Sequence, residues 1–197
     1  MRKLMITALL LGSSLQAGNV LAQTRAAVEV LVDVPVNVAW DYLQDFTLAH
    51  NYVPDLSRTE VVSARRAGVG AHRRVYDMDG DFIEETITEW QEGEGFVIRL
   101  HEGDEPMAPF DEINFTYAIA AEGDDRTRVA LSMDFVMPFG SVGETLGEWF
   151  ILPVMEDNLV QVAAGMKHFY ESGEPATDED RAREAGAVVV TSPGAGD

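Results

Sequence analysis

The clearest periodicity in the chain lies near its C-terminus. Leu152, Met155, Leu159, Val162, Met166 and Phe169 recur three or four residues apart, the stripe of a helix with one buried face. The pattern predicts one long, bent helix over 141–173. Ser141 and Glu144 have the spacing of a capping box. Gly173 is suited to the left-handed residue that ends a helix. Pro153 removes a backbone donor, which predicts a kink, or two helices with Pro153 in the first turn of the second.

Upstream the period changes from helical to two. Val28, Val30, Val32 and Val34 alternate with Glu29, Leu31 and Asp33, giving a first strand that ends at Pro35. Val36, Ala39, Trp40, Leu43 and Phe46 follow at helical spacing, and a second short helical piece is expected over 48–52. Six strands are then expected between Arg58 and Val136. Asp79-Gly80 predicts a two-residue hairpin tip. Ile113, Phe115, Tyr117 and Ile119 form one apolar face, and Val129, Leu131, Met133 and Phe135 form another. The expected fold is α+β: an antiparallel sheet of about seven strands whose inner face is covered by the long helix.

The two ends differ from this domain. Arg2 and Lys3, the apolar run Leu4–Leu11 and the small residues around Val20-Leu21-Ala22 have the layout of a secretory signal peptide cut after Ala22. The expected organisation is therefore a signal segment over 1–22, a domain over 23–173 and a flexible acidic tail over 174–197. The tail is expected because its Pro, Gly, Asp and Glu content leaves no apolar face. The expected location is periplasmic or secreted, with no membrane insertion once the leader is removed.

Composition narrows the chemistry. The chain of 197 residues has no cysteine, which excludes disulfides, thiolate metal sites and a lipidated N-terminal cysteine. It carries 14 basic against 34 acidic residues, a net charge of −20; without Arg2 and Lys3 the balance is 12 against 34, or −22. Such a charge argues against nucleic acid as a partner. His50, His72, His101 and His168 lack the close spacing of a local metal clip, and no Gly-x-Ser-x-Gly elbow occurs. No metal and no cofactor are expected, and oligomeric state is left open.

Three stretches carry a resemblance. Asp33-Val34-Pro35 with Val38, Trp40, Leu43, Asp45 and Phe46; Tyr52-Val53-Pro54 with Gly68-Val69-Gly70; and Pro138-Phe139-Gly140 leading into the last helix together resemble the START-like (SRPBCC) superfamily, in its polyketide cyclase/dehydrase-like branch. The resemblance spans about Ala27–Glu171. It implies a helix-grip fold, with a cavity between the curved sheet and the C-terminal helix, and a small hydrophobic ligand such as a lipid, polyketide or aromatic compound.

The residues expected to line that cavity are Phe96, Ile98, Phe115, Tyr117, Met133, Phe135, Phe150, Met155 and Leu159. Charged residues also occur on the strands: Arg73, Arg74, Glu84, Glu85 and Arg99. Those facing solvent would be ordinary surface groups, whereas an inward one must be paired. No catalytic residue is assigned. An exported binding protein is the expected function. The alternative is a cyclase, aromatase or dehydratase-type enzyme with an inward acid or base, for which Glu84 and Arg73 are the candidates, with His72 behind them.

Overall fold

The computed structural model describes residues 23 to 193; the expected signal segment lies outside the described residues. The chain opens with β1 (Thr24–Val32), α1 (Val36–Leu43) and a single 3-10 turn (Ala49–Asn51). It continues through β2 (Leu56–Val61), β3 (His72–Asp77), β4 (Phe82–Gln91), β5 (Gly95–Glu102), β6 (Glu105–Pro106), β7 (Glu112–Ala121) and β8 (Thr127–Val136). Helix α2 (Gly140–Leu146), a π turn (Gly147–Ile151) and α3 (Leu152–Ser172) form the long C-terminal helical segment. After it come α4 (Asp178–Glu184) and β9 (Val189–Val190).

All strands join one antiparallel sheet in the order β2-β3-β4-β5-β7-β8-β1-β9, with β6 on β5. The sheet has nine strands. The two beyond the expected seven are the two-residue pieces β6 and β9, too short to leave a sequence period. The apolar faces of β7 and β8 coincide as the alternation predicts. Ile113 pairs with Phe135, Phe115 with Met133, Tyr117 with Leu131 and Ile119 with Val129, and all are buried. Helix α3 packs on β1 and β8 and buries Leu159, Val162, Met166 and Phe169 of its stripe. Burying each such side chain contributes roughly 1.5–3 kcal/mol before entropy.

The C-terminal segment corrects one expectation and bears out two. Ser141 does not cap a helix: α2 begins at Gly140 behind Phe139, so Ser141 lies inside it, and its carbonyl accepts from Thr145 Oγ1 at 3.0 Å. Pro153 falls in the first turn of α3, the second of the two expected arrangements, and a π turn precedes it. Gly173 ends α3 at φ 77°, where its N–H bonds the Phe169 carbonyl.

The expected mobile tail is folded over 174–193. Thr177 and Asp180 form a reciprocal capping box that starts α4, and α4 packs on α3. Arg181 is buried and donates to the Ala176 carbonyl and to Asp178. Val189 and Val190 pair with Glu29 and Val28 of β1, and Ser192 Oγ accepts from the Ala27 N–H at 2.9 Å. Backbone pairing and one buried arginine hold this segment, and neither produces an apolar period. Among the described residues no helix is long and apolar enough to cross a membrane.

Candidate functional site

Between the sheet and the N-terminal half of α3 lies a cavity of about 320 Å³. Val75, Leu100, Ile113, Phe115, Tyr117 and Met133 line its buried wall. Met155, Asn158, Val53, Pro54 and Met107 border it from α3 and two loops. The alternation of β7 and β8 places Phe115, Tyr117 and Met133 there, and the helical stripe adds Met155.

The other expected lining residues sit elsewhere. Phe135 is buried beyond the cavity against the Phe110 ring, 5.4 Å between centroids. Phe96 is buried among Trp90, Phe46 and Tyr117. Ile98 and Leu159 are buried but do not border the cavity. Phe150 is 68% exposed; it belongs to the π turn, whose wider winding directs it away from the sheet. Among the lining residues missed from sequence are Val75 and Ile83, whose strands carry the less regular apolar alternation, and Leu100, which shares the alternating face of Phe96 and Ile98 but is the one of the three that borders the cavity.

Two acids line the cavity, the exposed Asp55 and the buried Glu85. Glu85 is the inward one. It pairs across the strands with Arg73, and Arg73 Nε meets Glu85 Oε2 at 2.5 Å with both side chains buried. Arg73 Nη1 donates to the Phe46 carbonyl at 3.1 Å, and the guanidinium lies 4.0 Å from the Phe46 ring centroid. Burial disfavours the charge of Arg73, but Glu85, Tyr52 and Tyr117 more than offset this and hold its pKa above the ordinary arginine value. Burial likewise raises the pKa of the Tyr52, Tyr117 and Tyr170 hydroxyls, so all three are neutral donors at physiological pH. Arg73 Nη2 and the Tyr170 hydroxyl are buried with no hydrogen-bond partner among the described residues.

The neighbouring charges occupy the opposite face. Arg74 Nη2 meets Glu84 Oε1 at 3.1 Å. Glu84 Oε2 accepts from the Gly103 N–H at 2.8 Å, and Glu84 Oε1 lies 3.5 Å from His72 Nε2. The buried His101 bonds Thr86 and the Gly103 carbonyl. Glu84 and His72, expected as inward candidates, are therefore on the outer side, and Arg99 is exposed. Arg73 does face inward, and its partner is Glu85.

A single residue in the hairpin tip decides this. The loop is Met78–Gly80 rather than Asp79-Gly80 alone, with the Asp77 N–H bonded to the Asp81 carbonyl and Gly80 at φ 93°. Asp77 Oδ1 accepts from the N–H groups of Asp79, Gly80 and Asp81, which stabilises the longer tip. A one-residue change of register moves every side chain to the other face.

The sequence of residues 23–167 matches the family described as polyketide cyclase / dehydrase and lipid transport. The chain belongs to this family. Among solved structures, it resembles the Zhui aromatase/cyclase from Streptomyces sp. R1128 with a TM-score of 0.58 at 16% identity, covering 79% of this chain and 100% of that one. A START superfamily protein from Mycobacterium smegmatis gives 0.56 at 14% identity, covering 73% and 94%. A protein from Thermus thermophilus gives 0.55 at 21% identity, covering 76% and 97%. At these identities the likeness establishes the helix-grip fold. No curated protein matches the sequence. Among the described residues no three His, Asp or Glu side chains converge as a metal site would require.

Proposed function

We propose that this family member is an exported binding protein whose cavity holds a small hydrophobic molecule, with its one polar end toward Glu85 and Tyr117. The observation that carries the reading is the lining. A largely apolar cavity of about 320 Å³ has one buried acid in its wall, Glu85, and that acid is already taken up by Arg73; the other lining acid, Asp55, is exposed. The volume lies at the small end of the roughly 300–1,000 Å³ usual for ligand pockets. Phe115, Met133 and Met155 supply apolar contact, and the neutral Tyr117 hydroxyl offers one donor for orientation. Export rests on the leader-like sequence of residues 1–22.

A cyclase, aromatase or dehydratase-type reaction is the second reading, favoured by the spare donor of Arg73 behind the Glu85 wall. It requires Glu85 to exchange a proton with a bound substrate while remaining beside Arg73. Native mass spectrometry of protein purified from the exported fraction tests the binding reading. A retained apolar compound, displaced by a hydrophobic fluorophore and released unchanged, is the expected result. Recovery of a transformed product supports the enzyme reading. An empty protein that binds no fluorophore sinks both.

A further inference from the structure

The helical segment ahead of α3 presents its apolar side outward. Its inward positions are glycines: a Cβ on Gly143 would collide with the Pro138 carbonyl, and one on Gly147 would stand 3.0 Å from Met137 Cγ. Its outward positions are large and apolar. Phe139 is 85% exposed and Trp149 74%, and Val142, Leu146, Phe150 and Val154 are exposed with them. Phe139 also sits at φ 76°, a region that bulky residues rarely adopt. Neither burial nor backbone preference explains these side chains, and an apolar surface of this kind marks a contact site. Phe139, Val142, Leu146, Phe150 and Val154 recur three or four residues apart, the spacing by which one helix engages another. At about 1.5 Å per residue the row is about 24 Å long, the length of a partner helix of about four turns.

The charges around this face select what covers it. The sequence has no Lys or Arg from Val129 to Met166, while Glu144, Glu148, Glu156 and Asp157 flank the apolar positions. Among the described residues none of these four carboxylates takes part in an ion pair. Arg25 borders the same cleft as Glu148 and Glu156, but both Asp134 oxygens hold its guanidinium at 2.7 Å. The apolar row is therefore rimmed by negative charge that this chain leaves uncompensated. An anionic lipid surface is repelled by that rim, and a second copy would bring an identical acidic rim against it. The complementary occupant is apolar on one side and cationic beside it.

We propose that the Phe139–Val154 face docks a cationic amphipathic helix of a partner protein. The partner's apolar stripe lies over Trp149 and Phe150, and its Lys or Arg side chains meet Glu144, Glu148, Glu156 and Asp157. The apolar row supplies most of the affinity, and the rim selects the sign of the partner's charge. Added salt weakens the complex by screening the rim and leaves the apolar contact in place.

Trp149 is the reporter. The probe is a synthetic amphipathic helix of Leu and Lys, about 18 residues long so as to exceed the face, with a Leu/Glu helix of the same pattern beside it. Acrylamide quenching of the full chain is followed as each is added. Subtracting the signal of a W149F chain removes the contribution of Trp40 and Trp90, and sedimentation reports the association state. Several-fold weaker quenching of Trp149 with the Leu/Lys helix, and no change with the Leu/Glu helix, is expected. L146S/F150S is expected to weaken the affinity by more than about tenfold, and E148Q/D157N by several-fold. D124N/D125N removes as much charge from exposed positions in the β7–β8 turn, at the opposite end of β8, and is expected to change nothing. Failure of the Leu/Lys helix to bind overturns the inference, as does full affinity in L146S/F150S. An equal loss in D124N/D125N and E148Q/D157N also overturns it, because net charge then accounts for the binding. E148Q/D157N alters no apolar contact, so this arm decides even where L146S/F150S fails to fold. Protection of Trp149 in a dimer without peptide makes a second copy the occupant and overturns the inference. So does protection by phosphatidylcholine vesicles and not by the peptide, which makes the occupant a bilayer.

Discussion

Arg73 and Glu85 stand directly opposite each other on β3 and β4, paired at 2.5 Å on the inner side of the sheet, while Arg74 and Glu84 form the corresponding pair on the outer side. Two successive cross-strand ion pairs thus sit back to back through one sheet. The inner one is buried; Arg74 of the outer one is partly exposed. Removing one partner of the inner pair leaves a buried charge without compensation. Glu85→Leu is expected to destabilise the protein by about 3–5 kcal/mol, and the double variant Arg73→Met/Glu85→Leu by less than Glu85→Leu alone. Urea denaturation of the parent, both single variants and the double variant checks this. A double variant at least as unstable as the sum of the two singles would refute the coupling.

Met133 borders open space on one side. In a filled core, truncation to alanine costs about 2–5 kcal/mol, much of it from the new void. At Met133 the void already exists, so Met133→Ala is expected to fall below that range and to alter the affinity for an apolar fluorophore. Leu131→Ala, on the same strand but away from the cavity, is expected to fall within the range and leave fluorophore binding unchanged. Paired stability and binding measurements separate the two.

The folded tail has a measurable role. β9 covers the free edge of β1, and α4 packs on α3 through a capped helix and a buried arginine. Deleting 174–197 is expected to lower the melting temperature by several degrees and, by exposing the β1 edge, to promote association. Scanning calorimetry with light scattering tests both. An unchanged melting temperature would mean that the tail adds nothing to the fold.

Acid should weaken the outer face in two steps. Burial lowers the pKa of His72, and Glu84 only partly restores it. In the window just below about pH 6.5, the ordinary histidine value, the unfolded chain therefore binds a proton that the folded one resists, and stability falls as pH falls. Burial raises the pKa of Glu84, but the Gly103 N–H and Arg74 outweigh it and leave a net lowering. Glu84 thus stabilises the protein above the ordinary carboxylate range, and that contribution is lost as pH drops through its lowered value. His72→Gln is expected to abolish the first step and keep the second, as read from denaturation midpoints between about pH 3 and about pH 8, a span that brackets both ordinary values.

The parts of the fold that the sequence makes legible are those where one physical demand dominates. The α3 stripe and the alternation of β7 and β8 arise from burial on one side, so period alone locates Leu159, Phe115, Tyr117 and Met133. Arg73 and Glu85 are not assignable by the same logic. Their strands have charges on both faces, and the register depends on a hairpin tip in which the Asp77 carboxylate accepts from three backbone N–H groups. Phe150 lies outside the stripe that begins at Leu152, and its size and apolar character alone do not put it on the inner face. The tail is unreadable for a different reason: Val189 and Val190 are held by β1 through main-chain bonds that no side chain announces.

The π turn at Gly147–Ile151 acts as a phase shifter. Its hydrogen bonds span one residue more than those of an α-helix, so the residues before it are rotated about the axis relative to those after it. That offset lets Gly143 and Gly147 face Met137 and Phe135 while Leu159 and Val162 of α3 still face the sheet. Excising one residue from this turn would bring α2 into step with α3. The glycines would swing off their tight seat, and the outward apolar row would be dispersed around the axis without any side chain having been mutated.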